Sequence, residues 1–289
     1  MREAIKPPSP VASAIASVAG RLSEVGIERP RAEAEALVRA VSGVSRESVL
    51  LHPDRRLSAD QLSQLEALTA RRAAREPLPY LLGEVEFYSL PFRVSPSAIV
   101  PRPETEILVE AAIERARAAG ARRAIEVGTG CGAIAVALAQ HLPQVRVTAT
   151  DVSFPALLLA RENCRRHKVG RRVSLICADL LAGVRGPADC ILANLPYVRT
   201  DEFEQLEPEV RDFEPRAALD GGADGLGHIR RLCVQVFDHL ADGGFAALEV
   251  GAGQASEAAK LLGAGRLSRI EVIADHAGID RVVIGWRRE

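Results

Sequence analysis

Two short stretches of this chain carry residue types that can do chemistry. The first is Asn194-Leu195-Pro196-Tyr197, directly after the apolar run Cys190-Ile191-Leu192-Ala193. A strand that ends this way can point an amide oxygen and a backbone carbonyl at one planar NH2 group, with an aromatic ring beside it. Such acceptors suit the alkylation of an amide or aromatic amine, a poor nucleophile that must be oriented before it can attack. They also meet positive charge as it develops on the nitrogen. A plain turn is the alternative reading, because Asn and Pro are common in turns.

The second stretch is Glu126-Val127-Gly128-Thr129-Gly130-Cys131-Gly132, which closes one apolar segment and opens another. Glycines at this spacing let the backbone turn tightly and approach a ligand. Asp151 ends the next strand, about 20 residues on, where a carboxylate can accept both ribose hydroxyls of an adenosine. Asp179 ends the third strand, where it could meet an adenine amino group. Glu126 can orient the loop and lie near a sulfonium or amino group. With Ala133 included, the loop also fits the dinucleotide pattern G-x-G-x-x-G/A. Nicotinamide dinucleotides therefore compete with S-adenosylmethionine as its ligand, and a tight strand–helix turn that binds nothing is the third reading.

These residues need a scaffold that brings strand ends together. Apolar residues recur at helical spacing through about residues 10 to 76, with breaks at Gly26, Pro30, Gly43 and Pro53, and Pro77-Leu78-Pro79 ends the helical run. Ser58-Ala59-Asp60-Gln61 reads as a capping box. Two short strands around a turn follow at 83–88 and 91–94, and then a helix over 104–119. Strands are predicted near 123–128, 146–151, 172–177, 188–193, 244–250, 268–274 and 280–286. Helices are predicted near 132–141, 154–167, 226–241 and 254–263. Such alternation implies a mostly parallel sheet covered on both faces. The last two strands are joined by too few residues for a helical crossover, so they should run antiparallel. Paired terminal strands of this kind favour the methyl donor over the dinucleotide. The division expected is a helical domain over 1–76, a hairpin linker over 77–100 and a catalytic domain over 101–289.

Composition narrows the class. At 289 residues, 47% apolar and 26% charged, the chain reads as a globular protein with one large and one small domain. No apolar run approaches the roughly 18 residues needed to span a bilayer. The start, Met1 to Pro8, lacks the apolar core of a signal peptide. A net charge of −1 offers no field for nucleic acid. The five cysteines, at 131, 164, 177, 190 and 233, form no C-x-x-C pair. Most sit in apolar runs, as reduced thiols of a cytoplasmic protein do, and no metal site is expected.

Taken together, the motifs resemble those of the bacterial release factor glutamine methyltransferases, the PrmC/HemK family, over nearly the whole length. The marks are Pro77-Leu78-Pro79-Tyr80-Leu81-Leu82-Gly83, Glu86-Phe87-Tyr88-Ser89-Leu90 and Val100-Pro101-Arg102-Pro103-Glu104-Thr105-Glu106. The glycine loop, Asn194 to Tyr197, Phe213 to Leu219 and Gly221 to Leu226 continue the series. The resemblance implies a class I, Rossmann-like S-adenosylmethionine-dependent methyltransferase with a seven-stranded, mostly parallel sheet. The expected substrate is the glutamine of the Gly-Gly-Gln loop of class-one peptide release factors. S-adenosylhomocysteine is the expected product, and the small helical domain is expected to help recognise the release factor. The enzyme is expected to act as a monomer without a metal, stable nucleic-acid binding or a membrane. The implied donor site is Glu126, Gly128, Thr129, Gly130, Cys131, Gly132, Asp151, Asp179, Leu180 and Asn194. The implied substrate site is Asn194, Leu195, Pro196 and Tyr197. Two positions depart from the family pattern. Leu195 stands where Pro is usual, which keeps the backbone carbonyl, and Leu180 stands where some relatives place an aromatic ring. Competing functions are a ribosomal-protein glutamine methyltransferase, an adenine methyltransferase of DNA or RNA, and a release-factor binder without catalysis.

Overall fold

The computed structural model describes residues 9–288. The amino-terminal stretch considered above for targeting signals lies outside them. The chain divides into two compact units, Met1–Gly83 and Glu84–Glu289.

The first unit is helical, with α1 (Val11–Glu24), α2 (Pro30–Ser42), α3 (Arg46–Leu51), α4 (Ala59–Ala73) and α5 (Leu78–Leu82). On α1 the buried residues Val11, Ala14, Ile15, Val18 and Leu22 repeat at three and four, which is one helix face. They pack with Leu37 and Val38 of α2 and Leu62 and Leu65 of α4 in one core. The Ser58 capping box is present: its Oγ accepts from Gln61 N at 3.2 Å, and its N–H donates to Gln61 Oε1 at 2.9 Å. The buried Arg72 of α4 grips Glu33 of α2 at 2.5 Å. Pro77 and Pro79, which looked like a helix terminator in the sequence, start α5 instead. Proline is tolerated in a first turn because its missing N–H would have no intrahelical partner there.

The second unit opens with a hairpin, β1 (Glu84–Phe87) and β2 (Leu90–Arg93), whose buried Phe87 and Phe92 meet edge to face at 6.0 Å. Then come α6 (Thr105–Ala118), β3 (Arg123–Val127), α7 (Ala133–His141), β4 (Arg146–Asp151), α8 (Phe154–Arg166), β5 (Val173–Cys177) and β6 (Ala188–Ala193). A 3-10 turn at Thr200–Gln205, the short α9 (Pro208–Phe213) and a second 3-10 turn at Arg216–Ala218 follow. The unit closes with α10 (Gly227–His239), β7 (Leu240–Glu249), α11 (Ala255–Ala264), β8 (Ser268–Ala274) and β9 (Asp280–Trp286).

Seven strands form one sheet in the order β5-β4-β3-β6-β7-β9-β8. Pairs from β5 through β7 are parallel, and β9 runs antiparallel to both β7 and β8. This is the mostly parallel, seven-stranded arrangement expected. The central strands are apolar on both faces because α6, α7 and α8 cover one side and α10 and α11 the other. One boundary differs from the sequence reading, which assigned 226–241 to a helix. Strand β7 begins at Leu240, whose side chain is wholly buried and whose backbone pairs with Ala188.

The strand order reverses at β3, which has β4 on one side and β6 on the other. Open α/β sheets bind ligands at this crevice, outside the carboxyl ends of the strands. Register decides what meets there. Val127 lies opposite Ala193, and Ala193 lies opposite Leu248. The next residue of each strand, Gly128, Asn194 and Glu249, therefore emerges level with the others.

Candidate active site

The glycine loop leaves β3 with Gly128 at φ +77°, Gly130 at +55° and Gly132 at +85°. At Gly128 both the conformation and the space demand glycine. A Cβ there would lie 3.1 Å from Leu195 Cδ2 and 3.4 Å from the Asn194 carbonyl oxygen. The N–H groups of Gly128 and Thr129 both donate to the Thr150 carbonyl of β4 at 2.9 Å. Thr150 Oγ1 in turn donates to the Leu180 carbonyl at 2.9 Å. Leu180 is buried with φ +53°, a conformation that a leucine adopts only when its surroundings impose it.

Asp151 ties the loop down. Its Oδ2 accepts from Gly130 N at 2.8 Å, and its Oδ1 accepts from Ser153 N at 2.8 Å. Each oxygen keeps a second lone pair for another donor. Asp179 is half exposed and pairs with Arg231 of α10. Glu126 is wholly buried at the end of β3. Its Oε2 accepts from Thr129 Oγ1 at 2.7 Å, while its Oε1 has no hydrogen-bond partner. Burial pushes its pKa to about 8. Cys131 is also buried, which pushes its thiol to about 12 and leaves it unreactive.

Gly128, Gly130, Asp151, Asp179, Leu180 and Asn194 line one cavity. Glu126, Thr129 and Cys131 are buried in and behind the loop, and Gly132 opens α7. Tyr197 belongs to a neighbouring cavity walled by Arg102, Val198, Leu206 and Val210. Asn194, Leu195 and Pro196 line both. The tetrapeptide is thus a partition between two spaces, with the glycine loop on one side only.

The partition is held from every direction. Asn194 Nδ2 donates to Thr105 Oγ1 on α6 at 3.0 Å. Gln254 Nε2 donates to the Tyr197 carbonyl at 2.9 Å, while its Oε1 accepts from Gly251 N at 2.9 Å. Val198 exchanges backbone bonds with Leu219 and Gly221 at 3.0 and 2.8 Å. A Cβ at Gly225 would collide with the Tyr197 carbonyl and with Gln254 Nε2, so only glycine lets this loop pass beneath the partition. Arg102 clamps the buried Glu214 through both carboxylate oxygens at 2.7 and 2.8 Å, fastening the segment after α9 to the segment before α6. Burial raises the pKa of Glu214, and Arg102 opposes that shift. Tyr197 is mostly buried and its hydroxyl is pushed up to about 12.

Sequence reasoning passed over three side chains that the structure brings to this place. Thr105 was read only as part of a motif, and Glu249 and Gln254 were not singled out. A signal for Glu249 was present: Glu249-Val250-Gly251 repeats the Glu126-Val127-Gly128 pattern at the end of a second apolar strand. Both glutamates are buried, and burial pushes Glu249 to about 7. Asn163 was also missed; its buried amide donates to the carbonyls of Cys131 at 2.8 Å and Arg93 at 3.0 Å, joining the loop to the hairpin. Among the described residues, no helix is long and apolar enough to cross a membrane.

Comparison with known proteins gives this geometry a family. Residues 13–83 match the PrmC N-terminal domain, and residues 103–207 match the methyltransferase small domain. The release factor glutamine methyltransferase of Geobacter sulfurreducens is 41% identical over 92% of this chain and 93% of its own length. That of Moorella thermoacetica is 41% identical over 96% of this chain and 98% of its own. The crystal structure of a methyltransferase from Pyrococcus furiosus shares the fold, with a TM-score of 0.54, 21% identity, and coverage of 78% of this chain and 100% of that one. The chain belongs to the release factor glutamine methyltransferase family.

Proposed function

We propose that this enzyme moves a methyl group from S-adenosylmethionine to the side-chain amide nitrogen of the glutamine in the Gly-Gly-Gln loop of class-one release factors. The observation that carries the reading is the shared partition. Asn194, Leu195 and Pro196 face the glycine-loop cavity and the neighbouring cavity at once, so groups bound in each would meet at one amide side chain.

The donor cavity suits S-adenosylmethionine. Gly128, Gly130, Asp151, Asp179 and Leu180 line it together, and Glu126, buried behind the glycine loop, holds that loop in shape through Thr129 Oγ1. Asp151 would receive the ribose hydroxyls on its remaining lone pairs, Asp179 the adenine amino group, and Leu180 an apolar face of the base. When bound, the donor supplies an electrophilic sulfonium methyl and leaves as S-adenosylhomocysteine. The protein's task is to prepare a weak nucleophile, since an amide nitrogen shares its lone pair with its carbonyl. Asn194 Oδ1 and the Leu195 carbonyl would accept its two N–H bonds, fixing the nitrogen in line and meeting its developing positive charge. The nitrogen gains one methyl and gives up one proton to solvent. Leu195 contributes its carbonyl, while its buried side chain packs over Gly128. The helical unit carries none of these residues and would serve to recognise the release factor, with the enzyme working as a cytoplasmic monomer.

The test is mass spectrometry of purified class-one release factor after incubation with the full chain and labelled donor. One methyl on the Gly-Gly-Gln glutamine is expected. Asn194→Ala should slow single-turnover transfer by about 10²-fold, as loss of comparable preorganised contacts does. Label on another residue, on a ribosomal protein or on nucleic acid would overturn the assignment.

A further inference from the structure

An asparagine amide can sit in two orientations of nearly equal shape. In one it offers an acceptor oxygen to a given side, and in the other it offers an NH2 group. Hydrogen-bond partners decide between them. At Asn194 the choice is decisive, because a second NH2 group facing the substrate amide would supply a donor where an acceptor is needed. The orienting partner is Thr105, whose Oγ1 accepts from Asn194 Nδ2 at 3.0 Å. A hydroxyl that accepts from an amide still has one proton to place, and Thr105 is buried away from solvent.

The acceptor for that proton stands in the next strand. Pairing of Ala193 with Leu248 puts Glu249 level with Asn194 at the sheet's carboxyl edge. Glu249 is 1% exposed and its Oε2 has no hydrogen-bond partner. Burial raises its pKa first and Glu104 raises it further, while hydrogen bonding from the Thr105 and Tyr197 side chains and the charge of Arg281 lower it. The register therefore sets the Glu249 carboxyl at the same level of the sheet edge as the Asn194–Thr105 pair.

We infer that Thr105 and Glu249 are positioning residues for methyl transfer: Glu249 accepts a hydrogen bond from the Thr105 hydroxyl, Thr105 thereby presents a lone pair to Asn194 Nδ2, and Asn194 Oδ1 is committed to the substrate. This rests on the reading that Asn194 Oδ1 accepts from the substrate amide. A residue kept only for stability would gain little from a carboxyl there, because burying one without full pairing is unfavourable.

The experiment uses the full chain with release factor and saturating S-adenosylmethionine, reading single-turnover rate, donor Kd by calorimetry and the melting temperature of each variant. Thr105→Val keeps the volume and removes the hydroxyl. Its rate should fall by about 10- to 100-fold, in the range of a lost preorganised contact, with donor Kd changed less than about twofold. Thr105→Ser should restore the rate to within about threefold of wild type, since the hydroxyl returns. Glu249→Met, which keeps the bulk but no acceptor, should be as slow as Thr105→Val. Glu249→Gln keeps a carbonyl acceptor and should stay within about threefold of wild type. The double variant Thr105→Val/Glu249→Met should be no slower than either single one, because both break one chain of contacts. In an Asn194→Ala background, Thr105→Val should add nothing.

A wild-type rate for Thr105→Val, or a Thr105→Ser protein that is folded yet as slow as the valine variant, overturns the inference. If Thr105→Val does not fold, the Glu249 pair decides, and equal rates for the Met and Gln variants overturn it. Failure of the underlying reading looks different: Asn194→Ala itself would then run at wild-type speed. A slow Asn194→Ala beside fast Thr105→Val and Glu249→Met would leave Asn194 in its role and remove Thr105 and Glu249 from theirs.

Discussion

Asp151 holds the protein and would hold the donor, and the two roles can be separated. Its carboxylate accepts from Gly130 N and Ser153 N, both at 2.8 Å, before any ligand arrives. Asp151→Ala deletes both bonds. A buried charge-assisted bond contributes about 1.5–3 kcal/mol. Asp151 is only partly buried, so the lower end applies, and the pair should contribute about 2–3 kcal/mol. For a domain of this size that corresponds to a fall in Tm of about 4–12 °C. Asp151→Asn retains one acceptor oxygen but turns an NH2 group toward one of the two N–H donors, so it should lose about half as much. Donor affinity should fall in addition, by about 10- to 150-fold for Asp151→Ala, as expected for a lost charge-assisted contact to the ribose. Thermal melts without ligand and calorimetry with S-adenosylmethionine measure the two effects independently. A variant that melts within about 1 °C of wild type would show that the backbone bonds contribute little. A destabilised variant with unchanged affinity would refute the ribose role.

Stability should fall as pH rises from about 4.5 to about 8. Burial raises Glu126 from 4.5 to about 8 and Glu249 from 4.5 to about 7. Between the unfolded value near 4.5 and these folded values, the native state binds more protons than the unfolded chain. Stability contributed by the protonated forms is therefore complete below about pH 4.5 and is lost as pH rises through about 7 and then 8. Urea midpoints from pH 5 to 9 should show this fall, and Glu249→Gln should flatten the earlier part of it; a variant with an unchanged profile would show that Glu249 is not the group titrating. Gly225→Ala would press a methyl against the Tyr197 carbonyl and Gln254 Nε2 at a positive φ. It should lower stability by at least about 2 kcal/mol and slow methyl transfer, and a folded variant of normal stability and rate would contradict the close packing beneath the partition.

Much of this protein is legible along the chain because it depends on local spacing. The helix faces of α1 and α4, the capping box at Ser58, the seven strands and the antiparallel final pair all follow from periodicity, turn residues and the length of connections. The glycine loop and Asn194 to Tyr197 announce themselves because particular backbone shapes and acceptors need particular residue types. Position in three dimensions is a different matter. That Asn194 lies between Gly128 and Glu249 depends on strand order and register, which are set by how distant apolar surfaces cover one another. Asp151 could be recognised as an acid at a strand end, but its grip on Gly130 and Ser153 required the folded loop. Pro79 read as a stop and became a start, since α5 could use a residue without an N–H in its first turn. Thr105, Glu249 and Gln254 were invisible as a group, being 89, 55 and 60 positions from Asn194 in the chain, in order. Residue types determined what chemistry was available. Packing decided which oxygen faces which nitrogen, because the orientation of a buried amide is fixed by neighbours that only the fold brings within hydrogen-bonding distance.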